Sequence, residues 1–305
     1  MKTESIRRRC HLLAAMVAIA IVAATQPAAA SFLKPYKDEL FRYPKVLESK
    51  LNGDFLKVDY IKARDIYERD KIPLRKAKQK YVNSKPRWSK GVRKFTAAGT
   101  KLKYSYVGAV NGGAKVVVLY LHGQGGNRFQ GVNDWTFGGN FNRLQNLMVR
   151  NGGLLLAPDF TDFSDQGARE MADLIYFHRR KSPRAPLIVA CGSMGGAVCW
   201  KLLKKPKVAG QISGMFLLGS LWDDTALKAS ALKNKAHKIP IYFGQGSWDV
   251  VFPWKRQKEM FDDIRKVSPH TPTRFVLFET GKHGTPIRMV DWRRELNWML
   301  KIAGR

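Results

Sequence analysis

The chain has 305 residues, is 45% hydrophobic and carries a formal net charge of +30. That length suits one large or two small domains with a sizeable core, and the apolar content excludes a disordered chain. The positive excess points to anionic surfaces (envelope polysaccharide, lipid headgroups or an acidic substrate), with a generically basic, solvated surface preferred over a dedicated anion site.

In chain order, Arg7-Arg8-Arg9 precede an unbroken apolar run over residues 12–24, and Ala28-Ala29-Ala30 before Ser31 form an A-x-A cleavage signal. The run is too short to span a bilayer comfortably. Residues 1–30 therefore read as a secretory signal peptide, with a secreted or periplasmic location expected. Arg8-Arg9-Cys10-His11-Leu12 resembles a twin-arginine signal only loosely, so general secretion is the expected route. Processing removes four basic residues and one acid, which leaves a charge of +27. No later stretch is apolar enough to predict a transmembrane segment, and a secreted protein rarely meets nucleic acid, so no specific nucleic-acid partner is expected. After processing only Cys191 and Cys199 remain. Eight positions apart across a predicted turn, they read as buried free thiols rather than a bridge. No His/Cys cluster has metal-ligand spacing, so the metal expectation is none.

Residues 31–100 hold 19 Lys/Arg against 8 Asp/Glu, with scattered aromatics and with Pro44, Pro73 and Pro86 as punctuation. Beyond a helical turn or two near residues 60–66, no regular structure is predicted. The stretch reads as a basic N-terminal extension that wraps or flanks the main domain, residues 101–305, and its function is unreadable.

From residue 101 the pattern becomes alternating strand and helix. Strands are predicted at 101–110, 116–121, 154–157, 187–190, 215–218, 239–243 and 274–278. Helices are predicted at 141–150, 166–180, after the small-residue cluster at 191–196, and at 225–235, 254–267 and 292–302. Repeated units of this kind argue for an α/β fold: a mostly parallel, doubly wound sheet with helices on both faces. Ligands in such sheets sit at the carboxyl ends of the strands.

The loops at those ends carry the chemistry. His122-Gly123-Gln124-Gly125-Gly126 suits one arm of an oxyanion hole through the Gln124 N–H, and His122 itself reads as a structural histidine bonded to the loop backbone. Cys191-Gly192-Ser193-Met194-Gly195-Gly196 joins a strand to a helix within about three residues, a turn only small neighbours permit. Ser193 sits at its tip as candidate nucleophile, and the Met194 N–H is the second oxyanion donor. Asp249, in Gly244-Gln245-Gly246-Ser247-Trp248-Asp249, is the candidate carboxylate, preferred over Asp223 and Asp224. His283, in Gly281-Lys282-His283-Gly284, follows the last strand, whereas His178, His237 and His270 follow none. The loop over residues 127–140, with Phe129, Trp135 and Phe137, offers an apolar wall.

These motifs, L-H-G-Q-G-G, C-G-S-M-G-G-A, G-Q-G-S-W-D-V-V-F-P and G-K-H-G-T-P-I, stand in the order Ser193, Asp249, His283. From about residue 101 onward the chain resembles the α/β-hydrolases, in particular lidless esterase, thioesterase and dienelactone-hydrolase-like members. The first Gly of the usual G-x-S-x-G is Cys191 here. The resemblance implies an ester or thioester hydrolase acting through an acyl-enzyme, with no cofactor and a small-molecule or envelope-derived acyl substrate. Only about twenty residues separate the strands at 215–218 and 239–243, too few for a lid domain. An acyltransferase, or a non-catalytic anion-binding protein on the same scaffold, are the alternatives.

Overall fold

In the computed structural model, which describes residues 33–304, the apolar runs of the sequence form the middle of one ten-stranded sheet. The expected leader, residues 1–30, lies outside the described residues. In chain order the strands are β1 (Val46–Lys50), β2 (Phe55–Val58), β3 (Lys90–Ala97), β4 (Thr100–Gly108), β5 (Val117–Leu121), β6 (Leu154–Pro158), β7 (Leu187–Gly192), β8 (Gly214–Leu218), β9 (Ile241–Gly246) and β10 (Thr273–Phe278). Across the sheet they run β1-β2-β10-β9-β8-β7-β5-β6-β4-β3. From β2 to β6 every neighbouring pair is parallel, and the antiparallel pairs β1·β2, β6·β4 and β4·β3 close the two ends. The five central strands β5 to β9 are buried at every position, which is why they read as continuous hydrophobic runs.

Helices cover both faces. On one side α2 (Asp165–Lys181), α3 (Gly195–Lys204) and α4 (Trp254–Val267) bury Met171, Val198, Trp200 and Phe261 in one apolar layer with Val117, Leu119 and Leu121 of β5, Phe261 meeting Phe243 and Phe275 of β9 and β10. On the other, α1 (Asn140–Arg150), α5 (Thr285–Met289) and α6 (Trp292–Ile302) bury Phe141, Leu144, Trp292 and Leu296 in one apolar layer with Val118 and Tyr120, Phe141 meeting Tyr120 and Trp292 meeting Phe216 of β8. The alternation along β5 is the period-two rule of a strand with two buried faces.

The basic stretch over residues 33–100, expected only to wrap or flank this sheet, enters it. Phe55 pairs with Phe275 and Val58 with Phe278, so β2 extends the parallel sheet past β10. At the other edge β3 and β4 form a hairpin in which Ala97 faces Thr100. Its two turn residues, Ala98 and Gly99, both have positive φ, the conformation a two-residue hairpin turn requires. Buried charges tie the same stretch to the helices. Arg143 of α1, fully buried, pairs with Asp38 at 3.0 Å and Asp291 at 2.9 Å. The predicted helix over residues 225–235 is broken into a 3₁₀ turn, Asp224–Lys228, and a single helical turn, Ser230–Lys233, because Ala229 between them is extended.

One buried group makes stability pH-dependent. His178, packed edge-on against Tyr104, has an Nε2 without a hydrogen-bond partner, and burial, reinforced by Lys181 and Arg93, pulls its pKa down to about 4. The unfolded chain takes up a proton here near pH 6.5 and the native protein does not. Stability is therefore full above that pH and falls as pH drops toward 4, by up to roughly 3 kcal/mol. The slope should flatten in His178→Phe, measured as denaturant midpoints between pH 7 and pH 4.

Candidate active site

β7 ends at Gly192 and α3 begins at Gly195, so Ser193 and Met194 turn the chain alone. Ser193 holds φ at 52°, a left-handed value that a side chain adopts only when its surroundings enforce it. They do so through close packing. A Cβ on Gly195 would lie 2.7 Å from the Leu121 carbonyl oxygen, and one on Gly196 would lie 2.7 Å from that of Leu221. The glycines let α3 approach the sheet at the spacing the elbow needs.

The expectation of two free thiols is corrected: Cys191 and Cys199 form a disulfide. Their eight-residue separation is misleading because the chain reverses at Ser193, which brings the two Cα atoms to 6.4 Å, within bridging range. The bond staples the last turns of β7 to the second turn of α3, on either side of Ser193.

Three loops from distant parts of the sequence converge on the elbow. The loop after β10 delivers His283, whose Nε2 lies 2.8 Å from Ser193 Oγ and whose Nδ1 lies 2.8 Å from Asp249 Oδ2. A proton on Nδ1 shared with Asp249 leaves Nε2 as the acceptor for the Ser193 hydroxyl. Asp249 is buried and accepts four hydrogen bonds: Oδ1 from the N–H groups of Val251 (2.9 Å) and Phe252 (3.0 Å), Oδ2 from His283 and from Gln245 Nε2 (2.9 Å). The loops bearing Asp249 and His283 are bonded to each other, Trp248 N–H donating to the Gly281 carbonyl at 2.9 Å and Thr280 N–H to Ser247 Oγ at 2.7 Å. They fit so closely that a Cβ on Gly246 would overlap the backbone of Gly281.

The third loop follows β5. A Cβ on Gly123 would sit 2.6 Å from that of Ser193, so this loop lies directly against the nucleophile candidate. Gln124 lines the same small cavity, about 160 Å³, as Ser193, His283, Gln130 and Ile287. No other acceptor among the described residues takes the backbone N–H of Gln124 or of Met194. Gly123→Ala should push this loop off Ser193 and lower kcat by about 10², the usual cost of one misplaced oxyanion donor, as a steady-state assay on the folded variant checks.

The remaining candidates sit elsewhere. His122 bonds the Gly123 carbonyl at 2.9 Å and stacks on Phe160. His237 bonds the Ile212 carbonyl, and His270 faces Ser268. Asp223 caps its own turn and pairs with Lys204, while Asp224 pairs with Arg256, so neither reaches His283. Of the three aromatics in the loop over residues 127–140, Phe137 alone lines the cavity, whereas Phe129 and Trp135 are turned to solvent. Gln245, buried against Asp249, went unread. Its position at the end of β9 is visible in the sequence, but its partner is not. Among the described residues no three His, Cys, Asp or Glu side chains gather as a metal-holding group, and no helix is long and apolar enough to cross a membrane.

No family model matches the sequence, and no curated protein matches it. Solved structures do. The Pyrococcus furiosus esterase Pf2001 superposes with a TM-score of 0.51 at 17% identity, over 72% of this chain and 96% of that one. A second crystal form of the same esterase gives a TM-score of 0.53. A thermostable esterase superposes with a TM-score of 0.54 at 16% identity, over 70% of this chain and 63% of its own. At such identities the likeness speaks for architecture. Over the 72% of its length that superposes on Pf2001, this chain has the α/β-hydrolase fold.

Proposed function

We propose that this protein is a secreted or periplasmic serine hydrolase that cleaves a carboxylic ester or thioester. The observation that carries the proposal is the unbroken chain from Ser193 Oγ through His283 to Asp249, 2.8 Å at each step, beside two unused backbone N–H groups. His283 Nε2 takes the hydroxyl proton as Ser193 Oγ attacks the acyl carbon, and Asp249 holds the imidazole orientation and stabilises its charge. The Gln124 and Met194 N–H groups meet the oxygen on which negative charge develops. The proton passes from His283 to the leaving oxygen or sulfur, and the acyl group remains on Ser193. Water then attacks, gives its proton to His283 and frees the acid, restoring the serine.

The esterases named above share this architecture, and the segment over residues 219–240 is too short to hold a lid domain between β8 and β9. The Cys191–Cys199 disulfide supports an oxidising compartment outside the cytosol, in keeping with the leader-like N-terminus. The test is turnover of short-chain 4-nitrophenyl esters and acyl thioesters, with the released acid quantified with and without added alcohol or amine. Free acid equal to released alcohol is the expected result. Transfer of the acyl group to the acceptor in place of acid would mark an acyltransferase, and no turnover of either substrate would overturn the catalytic reading.

A further inference from the structure

A second, larger cavity, about 570 Å³, adjoins the catalytic one and shares two of its wall residues, Phe137 and Gly284. Its lining combines the aromatic residues Tyr60, Phe137 and Trp248 with the cationic residues Lys62, Arg75 and Lys282, the Lys62 ammonium lying 5.1 Å from the Tyr67 ring, and no acidic residue lines it. A fourth cation, Arg288, is neutralised by a two-point pair with Asp70 at 2.6 and 3.1 Å. Lys62, Arg75 and Lys282 have no acidic partner among the described residues. Phe137, the partition between the two cavities, is held at φ 49°, a strained value for a large side chain and the kind that persists where the surrounding structure needs the ring in one place.

The position of this cavity selects which half of a substrate enters it. Trp248 precedes Asp249, and Lys282 and Gly284 flank His283, so the cavity lies on the imidazole side of the nucleophile. The imidazole hands its proton to the leaving atom, so the leaving half of an ester lies on that side. Resting on the hydrolase reading above, we infer that the cavity holds an anionic, preferably aromatic, leaving group: an alcohol or thiol bearing a carboxylate or a phosphate. Aromatic walls take the ring, and the three cations take the anion.

The experiment compares kcat/KM for 4-acetoxybenzoate, 4-acetoxyphenyl phosphate and the neutral methyl 4-acetoxybenzoate, each divided by the hydroxide-catalysed rate of the same ester. Either anionic ester should be preferred over the neutral one by about tenfold or more, and the larger of the two preferences identifies carboxylate or phosphate as the fitting anion. In Lys62→Gln/Arg75→Gln that preference should fall by about tenfold, chiefly through KM, while exposed Lys301→Gln keeps it. A wild-type protein that cleaves the neutral ester as well as both anionic ones, with a ratio unmoved by the double substitution, overturns this assignment and leaves the hydrolase reading standing. Absence of turnover on all three, with turnover of the 4-nitrophenyl esters or acyl thioesters retained, overturns the assignment alone, and absence of turnover on every one of these substrates overturns the hydrolase reading with it.

Discussion

Ser193→Ala is expected to lower kcat for ester hydrolysis by about 10⁶, with KM little changed. The reason is geometric. Ser193 is the only hydroxyl or thiol among the residues lining the catalytic cavity, so no neighbouring side chain can replace it. The residual rate would come from the oxyanion donors and from substrate binding, about 10³–10⁴ over water in enzymes of this kind. The elbow has no need of the hydroxyl for its own fold. Its turn is set by backbone bonds, Ser193 N–H donating to the Leu218 carbonyl and Gly196 N–H to that of Ser193, and by the disulfide across it. The thermal midpoint should therefore stay close to that of the native protein, and a steady-state assay alongside a melting curve checks both halves of the statement.

Asp249→Asn comes second, with an expected loss of about 10⁴ in kcat. All four partners of this carboxylate are donors: two backbone N–H groups on Oδ1, and Gln245 Nε2 and the ring Nδ1 on Oδ2. An amide can accept on one side only. With its oxygen toward Val251 and Phe252, its NH₂ faces His283 and favours the tautomer that places a proton on Nε2, where Ser193 then finds no base. With the amide turned over, NH₂ groups confront two backbone N–H donors in a buried pocket, which destabilises the loop by about 1–3 kcal/mol. Gln245→Leu provides the comparison. It removes one donor and leaves the charge, so its loss in kcat should be much smaller than that of Asp249→Asn, with the imidazole still oriented.

The two predictions rest on side chains that could be found in the sequence because each lies in a loop of small residues directly after a strongly apolar run. A strand buried on both faces has little else to write itself with than Val, Ile, Leu and Phe, so β5, β7, β9 and β10 announce their own carboxyl ends. The amphipathic helices α4 and α6 were legible to the residue for the same kind of reason, a clear periodic face. The strands of the basic stretch were not. β1 and β3 are edge strands with a single buried position between them, Phe95, and with Glu48, Lys50, Lys90, Arg93 and Lys94 set among their apolar residues, and such a pattern cannot be told from a solvated loop. The β3–β4 turn is Ala98-Gly99 instead of the Asn-Gly or Asp-Gly that advertises a hairpin. The disulfide is hidden in the sequence because the chain doubles back between Cys191 and Cys199, so their separation along the chain says nothing of their distance in space. The second cavity was out of reach for a related reason. Lys62, Arg75 and Lys282 come from three separate segments, and nothing in any one of them marks it as facing the others.

The most direct measurement is reaction of the folded, disulfide-bonded protein with a fluorophosphonate, read by intact mass and by peptide mapping. A single stoichiometric adduct on Ser193, absent from Ser193→Ala and strongly slowed in His283→Ala, is the predicted result. A folded protein that takes up no adduct, or takes it up at another residue, contradicts the account.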